Sequence, residues 1–141
     1  MVVGALFSTY QRDRVQRTAE KLGLKVFTPL WHKDQETLLK ELIFNNFEVI
    51  ISSIASDGLD ESWLGRRLDE KMIRQLVELN KKFGVNVAFE GGEAETLVLD
   101  CPLFKKIISI NDFKKEMSSE YSGVYNIKDA VLVKKDIKIK I

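Results

Sequence analysis

Glu48-Val49-Ile50-Ile51-Ser52-Ser53-Ile54 is the stretch on which the fold turns. Val49, Ile50, Ile51 and Ile54 are β-branched and nearly uninterrupted, the composition of a parallel strand covered on both faces rather than one with a wet side. Such a strand belongs at the centre of a sheet. Just upstream, Leu38, Leu39, Leu42 and Ile43 recur at helical spacing until Asn45-Asn46. Downstream, Ser56 to Arg67 has no period and is rich in Gly, Asp and Trp, as suits a functional connection. The clearest helix follows, with Asp69 as its cap, Leu68, Met72, Ile73, Leu76, Leu79 and Phe83 on its buried face, and Gly84 as its stop.

Toward the N-terminus, the apolar run Met1 to Ala5 leads into Ser8-Thr9-Tyr10-Gln11, a Ser-x-x-Gln capping box. Val15, Ala19 and Leu22 form an inward stripe, Gly23 ends that helix, and Lys25 to Phe27 is a second short run before the turn at Pro29 and Trp31. Toward the C-terminus, the run Val85 to Phe89 and the segment Glu90 to Thr96 precede an apolar strand, Leu97 to Leu99. From Ile107 on, short alternating runs including Val131/Val133 and Ile137/Ile139/Ile141 read as antiparallel strands or a hairpin. The alternation of strands and helices predicts one α/β domain over residues 1–141, with a mainly parallel sheet, helices on both faces and C-terminal antiparallel strands. A first strand that starts at residue 1 implies that part of the sheet is missing, which would leave Val2 to Ala5 as an exposed edge inviting homo-oligomerisation.

The chain has 141 residues, 45% hydrophobic and 30% charged, enough for a real core. Its 22 Lys and Arg against 21 Asp and Glu give a formal charge of +1, which supplies no global field for nucleic acid or an anionic membrane. The lysines of Lys134 to Lys140 are accounted for by a solvated strand face, with RNA binding as the alternative. A lone Cys101 rules out an internal disulfide and suggests a reducing, cytoplasmic setting, and no apolar stretch reaches the roughly 20 residues that span a bilayer.

Chemistry could sit in Glu90-Gly91-Gly92-Glu93-Ala94-Glu95-Thr96, where three carboxylates surround two glycines ahead of a buried strand. Such a loop could bind a cation, an amine or a Mg-bound phosphate, or could be a Gly-Gly turn with solvated acids. The turn Gly4 to Gln11 presents helix amides to an anion or ribose, with Tyr10 to stack and Arg14 one turn on, although the capping box by itself explains Ser8 and Gln11. His32, the only histidine, has no second ligand nearby; His32-Lys33-Asp34 reads as a polar helix start, and no metal is assigned.

In order and approximate spacing, the stretches Gly4 to Arg14, Pro29-Leu30-Trp31, Gly58-Leu59-Asp60-Glu61-Ser62-Trp63-Leu64-Gly65-Arg66 and Glu90 to Asp100 resemble the diphthamide synthetases, or diphthine-ammonia ligases, of the N-type ATP pyrophosphatases. The resemblance is to the C-terminal part of that family, and it implies a partial adenine-nucleotide-hydrolase-like, Rossmann-like fold. Family members activate diphthine on translation elongation factor 2 with ATP and Mg²⁺ and then substitute ammonia. By resemblance, Glu90, Gly91, Gly92, Glu93, Glu95 and Thr96 would recognise diphthine or its metal-nucleotide partner. Gly4, Ser8, Tyr10, Gln11 and Arg14 would line the nucleotide side, and Asp60, Glu61, Trp63 and Gly65 would form a third wall above Trp31. The family's Ser-Gly-Gly-Lys-Asp-Ser phosphate loop has no counterpart here, so a separate phosphate-loop half is an implied partner. Phe89 stands where a Gly is usual and Ala94 where an aromatic is usual. A non-catalytic docking module and a degenerate fragment are the competing readings.

Overall fold

The computed structural model describes residues 1–4 and 9–135, apart from the side chain of Gln11. Ser8, the side-chain half of the capping box at Gln11, and Ile137, Ile139 and Ile141 fall outside it. In chain order the elements are α1 (Thr9–Lys21), α2 (Gln35–Phe44), β1 (Glu48–Ala55), a 3-10 turn (Glu61–Trp63), α3 (Glu70–Phe83), β2 (Ala94–Asp100), β3 (Lys106–Ser119) and β4 (Ser122–Lys134). The four strands form one sheet in the order β2-β1-β4-β3.

Each pairing in this sheet is antiparallel, which corrects the parallel, Rossmann-like expectation. Among the described residues the parallel geometry is confined to a single bridge between Val2 and Phe27, where the expected N-terminal strands meet. The reading of the β1 run was right about burial and wrong about direction. Val49, Ile50, Ile51 and Ile54 are all buried, and β1 is an inner strand. Two-sided burial, however, does not need helices on both faces. Leu39 of α2 and Met72, Ile73 and Leu76 of α3 join Ile51, Ile54 and Ala94 in one cluster, so both helices cover the same face. On the other face Ile50 and Leu99 look across a cavity of about 250 Å³ at Ile108, Ile110 and Tyr125 of the β3–β4 hairpin.

Local signals explain the helices. Asp34 caps α2 by accepting from the Thr37 amide (2.8 Å), Asp69 caps α3 by accepting from the Met72 amide (2.6 Å), and Gly84 closes α3 at φ 73°. The fully buried Met72, Ile73 and Leu76 each contribute about 1.5–3 kcal/mol by leaving water. Ala19 of α1 is buried, whereas Leu22, one residue past the end of α1, is 68% exposed, which corrects its place on the inward stripe. The run Val85 to Phe89 is irregular, with a turn at Val87 and Ala88.

Buried backbone must find partners, and β1 finds them in two ways along one edge. Ser53 to Ala55 pair with β4. Further back, the Leu68 amide donates to the Val49 carbonyl (2.8 Å), the Ile51 amide to the Arg66 carbonyl (3.1 Å) and the Gly65 amide to the Ile51 carbonyl (2.8 Å). The segment after the 3-10 turn thus returns to serve as a short edge partner. Gly65 makes this possible at φ 75°, with the Tyr125 ring so close that an added Cβ would lie 2.3 Å from it. The ring is in turn stacked on Phe113 at 4.5 Å.

Gly65→Ala should therefore combine left-handed strain of about 1 kcal/mol with overpacking of about 1–3 kcal/mol. Gly84→Ala, at a similar φ but with open space around the new methyl, should show the strain alone. Urea unfolding of both variants distinguishes the two contributions. Equal losses would mean that Tyr125 gives way freely.

Candidate functional site

The segment Glu90 to Thr96 begins as a loop and ends inside β2, and the side chains of Glu93 and Asn86 hold it by accepting from backbone amides. Glu93 accepts at Oε1 from the Asn86 amide (2.9 Å) and at Oε2 from the Gly91 amide (3.0 Å). Its carbonyl receives the Ala55 amide (2.7 Å), which ties the loop to the end of β1. Asn86 Oδ1 accepts from the Ala88 and Glu90 amides (3.1 Å each). Gly91 leaves room for the Glu93 carboxylate, since a Cβ there would sit 2.5 Å from Glu93 Oε1 and that side chain would have to shift. Gly92 and Phe89 both occupy the left-handed region, at φ 86° and 60°. Phe89 is a bulky residue in a conformation that glycine takes without strain.

The three carboxylates therefore do not converge. Glu93 is occupied within the loop, Glu95 is exposed on β2, and Glu90 is exposed with no hydrogen-bond or ion-pair partner for its carboxylate among the described residues. Glu90 instead stands with Thr96 at the mouth of a cavity of about 120 Å³, whose walls include Leu38, Leu39, Leu42, Val49, Met72 and Phe89. Burial, and next the charge of Glu93, push the Glu90 carboxyl above its ordinary value. The helical leucines had been legible only as core. Nothing in their spacing distinguishes a packed face from one that leaves a cavity beneath a loop.

The remaining candidates lie apart. Asp60 caps the 3-10 turn, accepting from the Ser62 amide (2.9 Å) and hydroxyl (2.5 Å), and these bonds hold its carboxyl below the ordinary range. Glu61 is exposed and its carbonyl accepts from Lys115 Nζ (3.1 Å). Trp63 is buried, with the Arg66 guanidinium 4.9 Å from its ring centroid, and Gly65 lies against Tyr125. Trp31 is half-buried under the Arg12 guanidinium at 4.5 Å. Gly4 is exposed, and Tyr10, also exposed, accepts at its hydroxyl from Arg14 (2.8 Å). A shallow depression of about 400 Å³ is lined by Met1, Val3, Tyr10, Arg14, Val15 and Thr18. Among the described residues no hydrogen bond or ion pair joins this N-terminal group, the Asp60 to Gly65 group and the Glu90 loop, and the cavities beside them have separate linings.

Tyr10 and Arg14 could meet one edge of a nucleotide, but the described residues form no cradle of amides and Lys for its phosphates. Nor do they hold a cluster of three or more His, Cys, Asp or Glu side chains fit for a metal ion. The donors for Mg²⁺ do not fit, and no step is derived through it.

Residues 34–133 match the family model described as the diphthamide synthase C-terminal domain. The chain belongs to the diphthamide synthase family. It is 48% identical over 120 residues to the diphthine–ammonia ligase of Schizosaccharomyces pombe, a match that covers 85% of this chain and 19% of the relative. The Homo sapiens and Rattus norvegicus diphthine–ammonia ligases are 48% and 50% identical over 110 residues, each match covering 77% of this chain and 41% of the relative. The chain thus spans less than half the length of these relatives. The family match includes the Asp60 to Gly65 and Glu90 to Thr96 segments, while Gly4, Ser8, Tyr10, Gln11, Arg14 and Trp31 precede it.

Two substitutions separate the roles of the diphthamide synthase loop's acids. Glu93→Gln keeps the size but puts an amide where an acceptor faces a backbone N–H, so urea unfolding should show a loss of about 1–3 kcal/mol. Glu90 behaves oppositely. Its raised folded-state pKa means that the folded chain holds the proton longer, so its contribution favours folding at acid pH and is lost as pH rises through that value. Glu90→Gln should accordingly raise the thermal midpoint slightly at pH 7, with the gain vanishing below about pH 4. A gain of equal size at both pH values would remove charge as its cause.

Proposed function

We propose that this chain is the substrate-recognising part of an ATP-dependent diphthine–ammonia ligase that acts on diphthine-bearing translation elongation factor 2 and releases AMP and pyrophosphate. The observation that carries the reading is the Glu90 to Thr96 loop. It is braced from within by Glu93, lies inside the span shared with the diphthamide synthase C-terminal domain, and leaves Glu90 beside a cavity without a partner among the described residues.

In the reaction the acid is activated by ATP, pyrophosphate leaves, and ammonia displaces AMP to give the amide. This chain's part is to bind and orient the acid, and positioning of that kind accounts for much of the rate in such transfers. Glu93 fixes the loop, Glu90 and Thr96 face the substrate, and the Gly91 and Gly92 backbone permits close approach. Activation of the acid is assigned to a phosphate-loop partner or segment, because the described residues hold no phosphate cradle. The N-terminal Tyr10 and Arg14 would meet the nucleotide where the two parts join, and Val2, 73% exposed, offers a strand to that junction.

The test combines this chain with a phosphate-loop half, supplied separately or fused before Met1, together with diphthine-bearing factor, Mg-ATP and ammonium. AMP release accompanied by the mass change from acid to amide is the expected result, while calorimetry of this chain alone should show no micromolar affinity for Mg-ATP. A stably associated pair that yields neither product would overturn the assignment in favour of a docking module.

A further inference from the structure

The corner between β2 and β3 carries an electrostatic conflict. Lys106 and Lys134 lie directly opposite each other across the β3–β4 ladder, where like charges weaken the pairing. Lys105 adds a third positive charge beside them, and none of the three has a hydrogen-bond or ion-pair partner among the described residues. Lys135 differs, being taken up by Asp100 and the Cys101 carbonyl. Next to the lysines is open apolar surface. Leu103 is 89% exposed and Phe104 39%, on a turn fixed by the Phe104 amide donating to the Cys101 carbonyl (3.0 Å). Together with Pro102 and the lysines they line a depression of about 640 Å³, and no acidic side chain among the described residues belongs to that lining. Lysines on an edge strand can serve merely to deter strand pairing. That role requires neither two of them face to face nor a Leu left open beside them.

We infer that this corner docks an acidic segment of a partner protein, one that carries a large apolar side chain among its carboxylates. A carboxylate set between Lys106 and Lys134 turns one repulsion into two charge-assisted hydrogen bonds, and an apolar side chain laid on Leu103 and Phe104 takes their surface out of water. Nucleic acid matches less well. Its phosphates would answer the lysines, but Leu103, the most open group, offers a base no ring face on which to stack. A lipid surface is met by an apolar tip that projects, and here the apolar groups line a depression. The corner lies at the opposite end of β2 from the Glu90 loop, about 20 Å away along a strand of seven residues. A partner anchored here leaves that loop free.

The experiment titrates this chain at low salt into a fluorescein-labelled peptide, Glu-Glu-Leu-Phe-Glu-Glu, and follows anisotropy. Saturable binding is expected, weakened about tenfold when every Glu of the peptide is replaced by Gln and about three- to tenfold when its Leu-Phe is replaced by Ser-Ser. Leu103→Ser in the chain should weaken it about three- to fivefold. Lys106→Glu separates docking from folding. It should weaken the peptide about tenfold, yet it sets an opposite charge across from Lys134 and so should raise the thermal midpoint by about 1–4 °C. Lys71→Glu, exposed in the first turn of α3, makes the same change of net charge away from the corner and should leave binding within about twofold. Absence of saturable binding, an equal loss from Lys71→Glu, or a midpoint that Lys106→Glu fails to raise would each overturn the proposal. So would tighter binding to a uridine hexanucleotide or to phosphatidylserine vesicles than to the peptide, or sedimentation as a dimer that Lys106→Glu disperses, since each names a different occupant.

Discussion

A strand buried on both faces cannot leave its backbone amides and carbonyls to water, and β1 is such a strand. One edge is filled by β2 from Glu48 to Ile54. The other is divided between β4, which covers Ser53 to Ala55, and the returning segment at Gly65 to Leu68. Most of the architecture follows from that division. The connection after β1 has to leave the sheet, turn once at Glu61–Trp63 and come back alongside the strand it left. Trp63 and Leu64 are buried by this return, and α3 is launched from it across the helical face.

The hairpin is shaped by the same competition. Because the returning segment occupies part of the β1 edge, β4 pairs there over only three positions, and much of the 14-residue β3 lies with β4 beyond the β1 pairing. Ile108, Ile110 and Tyr125 still reach the second face of β1 and β2, and Tyr125 fits because Gly65 has no side chain. A further brace lies where β2 ends. Lys135 pairs with Asp100 and donates to the Cys101 carbonyl (2.6 Å), binding the end of the hairpin to the end of β2. Cys101 is buried beneath this clasp, in keeping with an inert structural thiol.

The loop ahead of β2 shows how rigidity and availability are divided between neighbouring acids. Glu93 spends both oxygens on backbone amides, which removes it from the surface but gives the glycines a fixed shape. Among the described residues Glu90 is left without a partner for its carboxylate, beside an apolar wall. In that position its carboxyl is pushed above the ordinary value, by burial first and by the charge of Glu93 second. The three groups that the family resemblance united occupy separate places on this chain, and the nucleotide-side residues precede the shared family span.

The sequence by itself determined the helices, the caps of α3 and the family. Asp69 and Gly84 mark α3 with local chemistry, the leucine spacing marks α2, and the alternation after Ile107 marks the hairpin, because each signal depends on a few neighbouring residues. The Glu-Gly-Gly-Glu and Gly-Leu-Asp-Glu-Ser-Trp segments identified the diphthamide synthases by their order alone. Strand direction was not legible. Val49 to Ile54 reports that both faces are dry, and a helical layer with a curled hairpin dries them as well as two helical layers would. Only the tertiary structure decided that Glu93 serves the loop while Glu90 faces a cavity, since the two acids differ in backbone surroundings and not in type. It decided likewise that Gly65 answers to Tyr125, a residue sixty positions further along the chain.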